Sequence, residues 1–134
     1  MNADKPLLDS DLSQQVIGAF YSVYNELGYG FLENIYENAM AIALRDLDLV
    51  VERQVPWTVI FRDQVIGEYR TDLIVDHRLI LEIKACPCIS TAHEAQLLNY
   101  LKVTGLQSGL LLNFGPKAEF RRKVFSLKNP RSSA

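Results

Sequence analysis

Between Asp72 and Ala85 the chain reads DLIVDHRLILEIKA, two apolar runs separated by a short polar turn. Leu73, Ile74, Val75, Leu79, Ile80, Leu81 and Ile83 are the residues of buried strands. Asp72, Glu82 and Lys84 sit among them. A buried carboxylate or ammonium is costly unless it is paired, neutralised or bound to a metal. The stretch therefore requires a fold that buries neighbouring strands and compensates three charges in one place.

Strand geometry limits where those charges can go. Alternate residues share a face, roughly 6.6 to 6.8 Å apart along the strand, so Glu82 and Lys84 point the same way and Leu81 and Ile83 the other. The Asp76-His77-Arg78 turn folds one strand back beside the next, which places Asp72 and Glu82 at similar height. Two carboxylates held close raise each other's pKa unless a cation lies between them. An oxygen-only donor set without His or Cys favours Mg²⁺ or Mn²⁺. The competing reading is a buried ion pair in which Lys84 neutralises Glu82 or Asp72.

The rest of the chain supplies the frame. Leu12, Val16, Phe20, Val23 and Leu27 recur at helical spacing, with Asp9 or Ser10 as cap and Gly28 as stop. After the Gly28/Gly30 turn, FLENIYENAMAIALRDL reads as a second helix packing through Ile35, Ala39, Ile42 and Ala43. LVVERQ, WTVIF, EYRTDLIV and RLILEIK are strand-like, punctuated by Pro56, Arg62-Asp63-Gln64 and Asp76-His77. STAHEAQLLNYLKVTG is a helix opened by Ser90 or Thr91, with Glu94 closing a capping box on Thr91. SGLLLNFG reads as a buried strand and AEFRRKVFSL as an edge strand. The order implies an α/β fold, a mixed β-sheet flanked by α-helices. Residues 1–134 are expected to form a single domain, with a core of about 9–127 and short flexible ends.

At 134 residues and 49% apolar composition, a real core is expected. No apolar run reaches the roughly 18 residues of a membrane span, and MNADKPLLDS does not read as a secretion signal, so a cytoplasmic protein is expected. Cys86 and Cys88 form a lone C-P-C, read as reduced thiols, and with His77 and His93 the only histidines a structural zinc site is not expected. The net charge of −2 hides an asymmetry. From Lys117 onward six basic residues face Glu119 alone, a balance of +5, which leaves −7 on the preceding 116 residues. Arg121, Arg122 and Lys123 form the centre of this basic stretch, a candidate phosphate-binding edge; the alternative is a solubilising terminus.

Asp72 followed by Glu82-Ile83-Lys84 resembles the signature of the PD-(D/E)xK nuclease superfamily. GFLENIY, with Gly30, Glu33 and Tyr36, is similar to the motif of its GxxExxY branch. The resemblance continues through GEYRTDLIV, LEIKA, HEAQLLNYL, TGLQSGLLLNFG and FRRKVF, from about Leu12 to Phe125. Two departures are Thr71 in place of the usual proline before the aspartate, and the C-P-C segment, which carries no evident functional meaning.

The resemblance implies a restriction-endonuclease-like core and metal-dependent phosphodiester hydrolysis of DNA, in repair, recombination or defence, with RNA not excluded. Asp72 and Glu82 would hold Mg²⁺ or Mn²⁺ with the Ile83 carbonyl, and Glu33 from the preceding helix would complete the shell. Lys84 would orient the water or stabilise developing charge. Tyr36 shares a helix side with Glu33 and Glu37 and becomes a candidate for nucleic-acid contact; Glu37 is expected at the surface. Gln96 and Tyr100 resemble a Q-x-x-x-Y element that contacts DNA beside the catalytic centre. His93 and Asn99 are either satisfied polar residues or phosphate ligands, and Trp57 and the phenylalanines are expected in the core. A homodimer or partner protein remains open. The alternative function is a catalytically silent nucleic-acid-binding or assembly module.

Overall fold

The computed structural model describes residues 9–126; the expected flexible ends, with Lys128 and Arg131 of the basic stretch, lie outside the described residues. Two helices, α1 (Asp9–Leu27) and α2 (Glu33–Arg45), precede three strands, β1 (Val51–Phe61), β2 (Gln64–Val75) and β3 (Leu79–Lys84). Helix α3 (Thr91–Thr104) then crosses to β4 (Ser108–Phe114), and β5 (Ala118–Val124) follows. The sheet order is β1-β2-β3-β4-β5, antiparallel except for the parallel β3–β4 pair. A parallel pair needs a crossover, and α3 supplies it. Every residue of β4 is buried, as its unbroken apolar run requires.

One core lies between the sheet and α1/α2, built on Leu12, Val16, Phe20, Leu81, Ile83 and Phe114. A smaller one lies under α3, with Ile74, Ile80, Leu97, Leu101 and Leu111. The alternation along β3 therefore sends Leu81 and Ile83 to the first face and Ile80 to the second. Glu82 and Lys84 follow Ile80.

Several expectations are corrected. Helix α2 packs through Tyr36, Glu37, Met40, Ala41 and Leu44 rather than through Ile35 and Ile42, and Ile42 is 63% exposed. The Tyr36 ring decides this, because it stacks on Phe114 at 4.1 Å. Leu27 is likewise exposed, whereas Leu12, Val16, Phe20 and Val23 are buried. LVVERQ and WTVIF are parts of one strand, since β1 runs through Pro56 without a break. It is an edge strand, the position in a sheet that tolerates a residue without an N–H. The cap of α3 is Ser90, whose hydroxyl accepts from the His93 N–H while the Ser90 N–H donates to His93 Nδ1. His93 thus has a structural partner, and Glu94 pairs instead with Lys123. Phe20 and Phe114 are core; Phe31 and Phe61 are exposed and Trp57 is half-buried.

Candidate active site

The site forms where strand β2 parts from β3. Their ladder spans only Leu73↔Leu81 to Val75↔Leu79, whereas β2 stays paired with β1 along almost its whole length. The next cross-strand pair would be Asp72 and Glu82. There the side chains take over from the backbone: the Ile83 N–H donates to Asp72 Oδ2 at 2.8 Å, and the Asp72 N–H donates to Glu82 Oε2 at 3.4 Å. Each carboxylate satisfies an N–H that the parted strands no longer serve.

The β1 side of Asp72 is disturbed at the same level. Gln54, its counterpart there, drops out of the ladder with φ of 50°, a left-handed conformation uncommon for a residue with a Cβ. Its side-chain amide donates to Glu37 Oε1 at 2.8 Å, and Arg53 Nη2 donates to Glu37 Oε2 at 3.1 Å and also to Asn38 Oδ1. Glu37 is therefore no surface residue. At 7% exposure it ties α2 to the kink in β1. Its place on the Tyr36–Met40–Ala41–Leu44 stripe was the sequence signal for this.

Burial dominates the electrostatics. Glu82 is 5% exposed, and desolvation followed by the neighbouring Asp72 charge pushes its carboxyl up to about 8. Desolvation also raises Asp72 to about 6, opposed by the Ile83 hydrogen bond and reinforced by Glu37 and Glu33. Lys84, half-buried, draws both values down. It makes no ion pair within 4.0 Å with either acid among the described residues, so the buried ion pair is not formed, and ionising both acids is costly without a further cation.

The remaining candidates divide. Glu33 opens α2 with an exposed carboxylate, and its charge reaches both Asp72 and Glu82. Tyr100 stacks on Tyr69 at 4.1 Å, and the Tyr69 hydroxyl donates to the Tyr100 carbonyl at 3.4 Å. Burial raises both phenols, with Glu82 adding to each. Gln96 is exposed one turn before Tyr100. Tyr36 is not available to nucleic acid: its ring is fully buried, and its hydroxyl donates to the Gly28 carbonyl and accepts from the Phe31 N–H. Arg121 lies on the Glu82 face, in the row Glu82↔Leu111↔Arg121, about 9.5 Å away at the usual strand spacing. Arg122 points to the opposite face. Lys123 Nζ is 2.6 Å from Glu94, and Arg121 is 4.0 Å from Glu119.

The donor set suits a hard divalent cation, since two carboxyl groups without a direct cationic partner converge and neither His nor Cys lies between them. Among the described residues no group of three or more His, Cys, Asp or Glu side chains is drawn together as a metal cluster. A further ligand would come from the backbone, from water or from substrate.

A family model described as the PD-(D/E)XK nuclease superfamily matches residues 10–123. No curated protein matches the chain. Among solved structures, that of SSO0001 superposes with a TM-score of 0.56 at 19% identity, over 92% of this chain and 62% of that one. This chain thus spans about three-fifths of that protein's length. The five-stranded mixed sheet with three helices is a restriction-endonuclease-like architecture.

Proposed function

This chain belongs to the PD-(D/E)XK nuclease superfamily, and on that premise we propose that it is a metal-dependent nuclease that hydrolyses phosphodiester bonds of DNA, in the branch marked by Gly30, Glu33 and Tyr36. One observation carries the reading: Asp72 and Glu82 converge at the parting of β2 and β3, both raised and without a direct cationic partner. Such an arrangement is destabilising in itself.

Asp72 and Glu82 would hold a Mg²⁺ or Mn²⁺ ion together with the Ile83 carbonyl. Glu33, whose charge already acts on both acids, is the candidate to complete the shell. When bound, such an ion supplies Lewis-acid stabilisation of phosphate charge and a more acidic water. Lys84 stands on the strand face of Glu82 and serves the negative charge that develops on the phosphate. Tyr100 and Gln96 would line the path of the strand beside the carboxylates, with Arg121 and Lys123 on the Glu82 face toward the phosphates, whereas Arg122 points away from them.

The silent binding module is favoured by a different observation, the lack of a ready-made cluster of three ligating side chains among the described residues. Incubation of labelled single-stranded, duplex and branched DNAs, and of RNA, with Mg²⁺ or Mn²⁺ separates the two. Cleavage by the wild type is expected. Lys84→Ala should keep its affinity for DNA and lose about 100- to 1000-fold in rate, because its contact strengthens only in the transition state. Binding without cleavage under every condition would sink the nuclease reading. Binding lost in proportion to rate would make Lys84 a phosphate anchor.

A further inference from the structure

Between the α1–α2 loop that leads into Glu33 and the segment that follows Lys84 lies a cleft to which the reading above assigns nothing. Phe114 at the end of β4 lines its base. One wall is the α1–α2 loop, with Tyr29, Phe31 and Leu32, and the other is the segment after β3, with Cys86, together with Gly115. It encloses about 380 Å³, within the roughly 300–1,000 Å³ of small-molecule sites. No charged side chain lines it. Tyr29 is 61% exposed, Phe31 47% and Leu32 75%, so apolar and aromatic surface stands open to solvent.

Both walls are held before any ligand arrives. The Tyr36 hydroxyl ties the Gly28 carbonyl to the Phe31 N–H, and the Phe31 ring meets Tyr36 edge-on at 5.9 Å. On the other side the Tyr24 hydroxyl donates to the Gly115 and Pro116 carbonyls at 2.7 and 2.9 Å. The Asn113 amide exchanges two 3.0 Å hydrogen bonds with the backbone of Cys86. Gly115 lies so close to Cys86 that a Cβ there would stand 2.2 Å from the Cys86 carbonyl oxygen. A preformed pocket avoids the ordering cost of binding.

The lining of the cleft neighbours two members of the charged site. Leu32 adjoins Glu33, Cys86 follows Lys84 by two residues, and the charges of Lys84 and Glu33 both act on Cys86. One aromatic wall and an uncharged lining, near phosphate-directed charge, match the two halves of a nucleotide. We propose that this cleft receives an unpaired nucleobase of the substrate strand, next to the phosphate held at Asp72, Glu82 and Lys84. The proposal rests on the nuclease reading and narrows its substrate. A base inside a duplex cannot enter without leaving its stack, so the cleft selects single strands or flipped nucleotides. Aromatic stacking accepts any base, so little sequence preference follows.

The test uses short single-stranded DNAs in EDTA, each with 2-aminopurine at a different position, so that binding is read without cleavage. Wild-type protein should quench the fluorescence at one or two positions, and Tyr29→Ala and Phe31→Ala should restore it. An abasic residue at the quenched position should weaken binding to the wild type by about 5- to 150-fold, the range for one stacked base. The abasic strand needs no mutation, so the test stands even if Phe31→Ala does not fold. Strands bound without quenching at any position, or abasic strands bound as tightly as intact ones, overturn the base pocket and leave the nuclease reading intact. A wild type that neither binds in EDTA nor cleaves in Mn²⁺ overturns both.

Discussion

Asp72 and Glu82 keep their protons in the folded chain at pH values where the unfolded chain has lost them. The native state therefore binds more protons from about pH 4 to about 8, between the ordinary carboxylate range and the raised values near 6 and 8. Stability of the metal-free protein should fall as pH rises through that window. Asp72→Asn removes the charge and keeps an oxygen that can accept from the Ile83 N–H. At pH 7.5 without metal it should raise Tm, by about 3–5 °C for each kcal/mol relieved in a chain of this size. At pH 5, where Asp72 is already largely protonated, the gain should shrink. A lower Tm for Asp72→Asn at pH 7.5 would mean that Lys84 depends on the carboxylate after all.

At the scale of elements, the site is a consequence of how strands separate. The β1–β2 pair forms a long ribbon that leaves the sheet after only three β2–β3 residue pairs, and two-stranded ribbons twist more than wide sheets. The side chains at the parting point then inherit the backbone's hydrogen bonds. Helix α2 is fitted to this by its ends and its buried face: Tyr36 locks the preceding loop, and Glu37 holds Arg53 and Gln54. Tyr36→Phe leaves the stack on Phe114 in place but strands the Gly28 carbonyl and the Phe31 N–H. It should destabilise the fold by about 1–3 kcal/mol. Urea denaturation measures this, and an unchanged midpoint would show that the loop closes without the phenol.

For the whole molecule, charge distribution sets the terms of binding. Mn²⁺ at 100 times its dissociation constant adds about 2.7 kcal/mol by mass action. Thermal melts should show this rise, and Asp72→Asn combined with Glu82→Gln should abolish it. The rise should be larger at pH 8 than at pH 6, because the ion must displace protons from the raised acids. An equal rise in the double variant would remove the metal from this site. The basic strand β5 contributes less than its composition promises. Lys123 is engaged by Glu94 and Arg121 approaches Glu119, while Arg122 has no ion pair among the described residues. Arg122 points away from the Glu82 face, so replacing all three by Ala should flatten the salt dependence of DNA affinity by no more than about one unit of slope, the contribution of one phosphate contact. A change near three units would show that substrate strips away both acidic partners.

Much of this protein could be read along the chain. Periodicity marked every element, dividing β1 into two runs at Pro56, because strand and helix repeats are local properties of side-chain direction. The charges inside DLIVDHRLILEIKA marked Asp72, Glu82 and Lys84 as one site, because a hairpin turn brings strand neighbours to equal height. Other features depended on contacts between segments distant in sequence. Ile35 and Ile42 make as plausible a helix stripe as Tyr36 and Met40; only the Phe114 ring of β4 decides which is buried. Glu37 and Gln54 acquire their roles only when α2 meets β1. Tyr69 meets Tyr100 only when the ribbon meets α3. Local spacing determined what each element is, and tertiary packing decided which of its faces is buried and which of its charges has a partner.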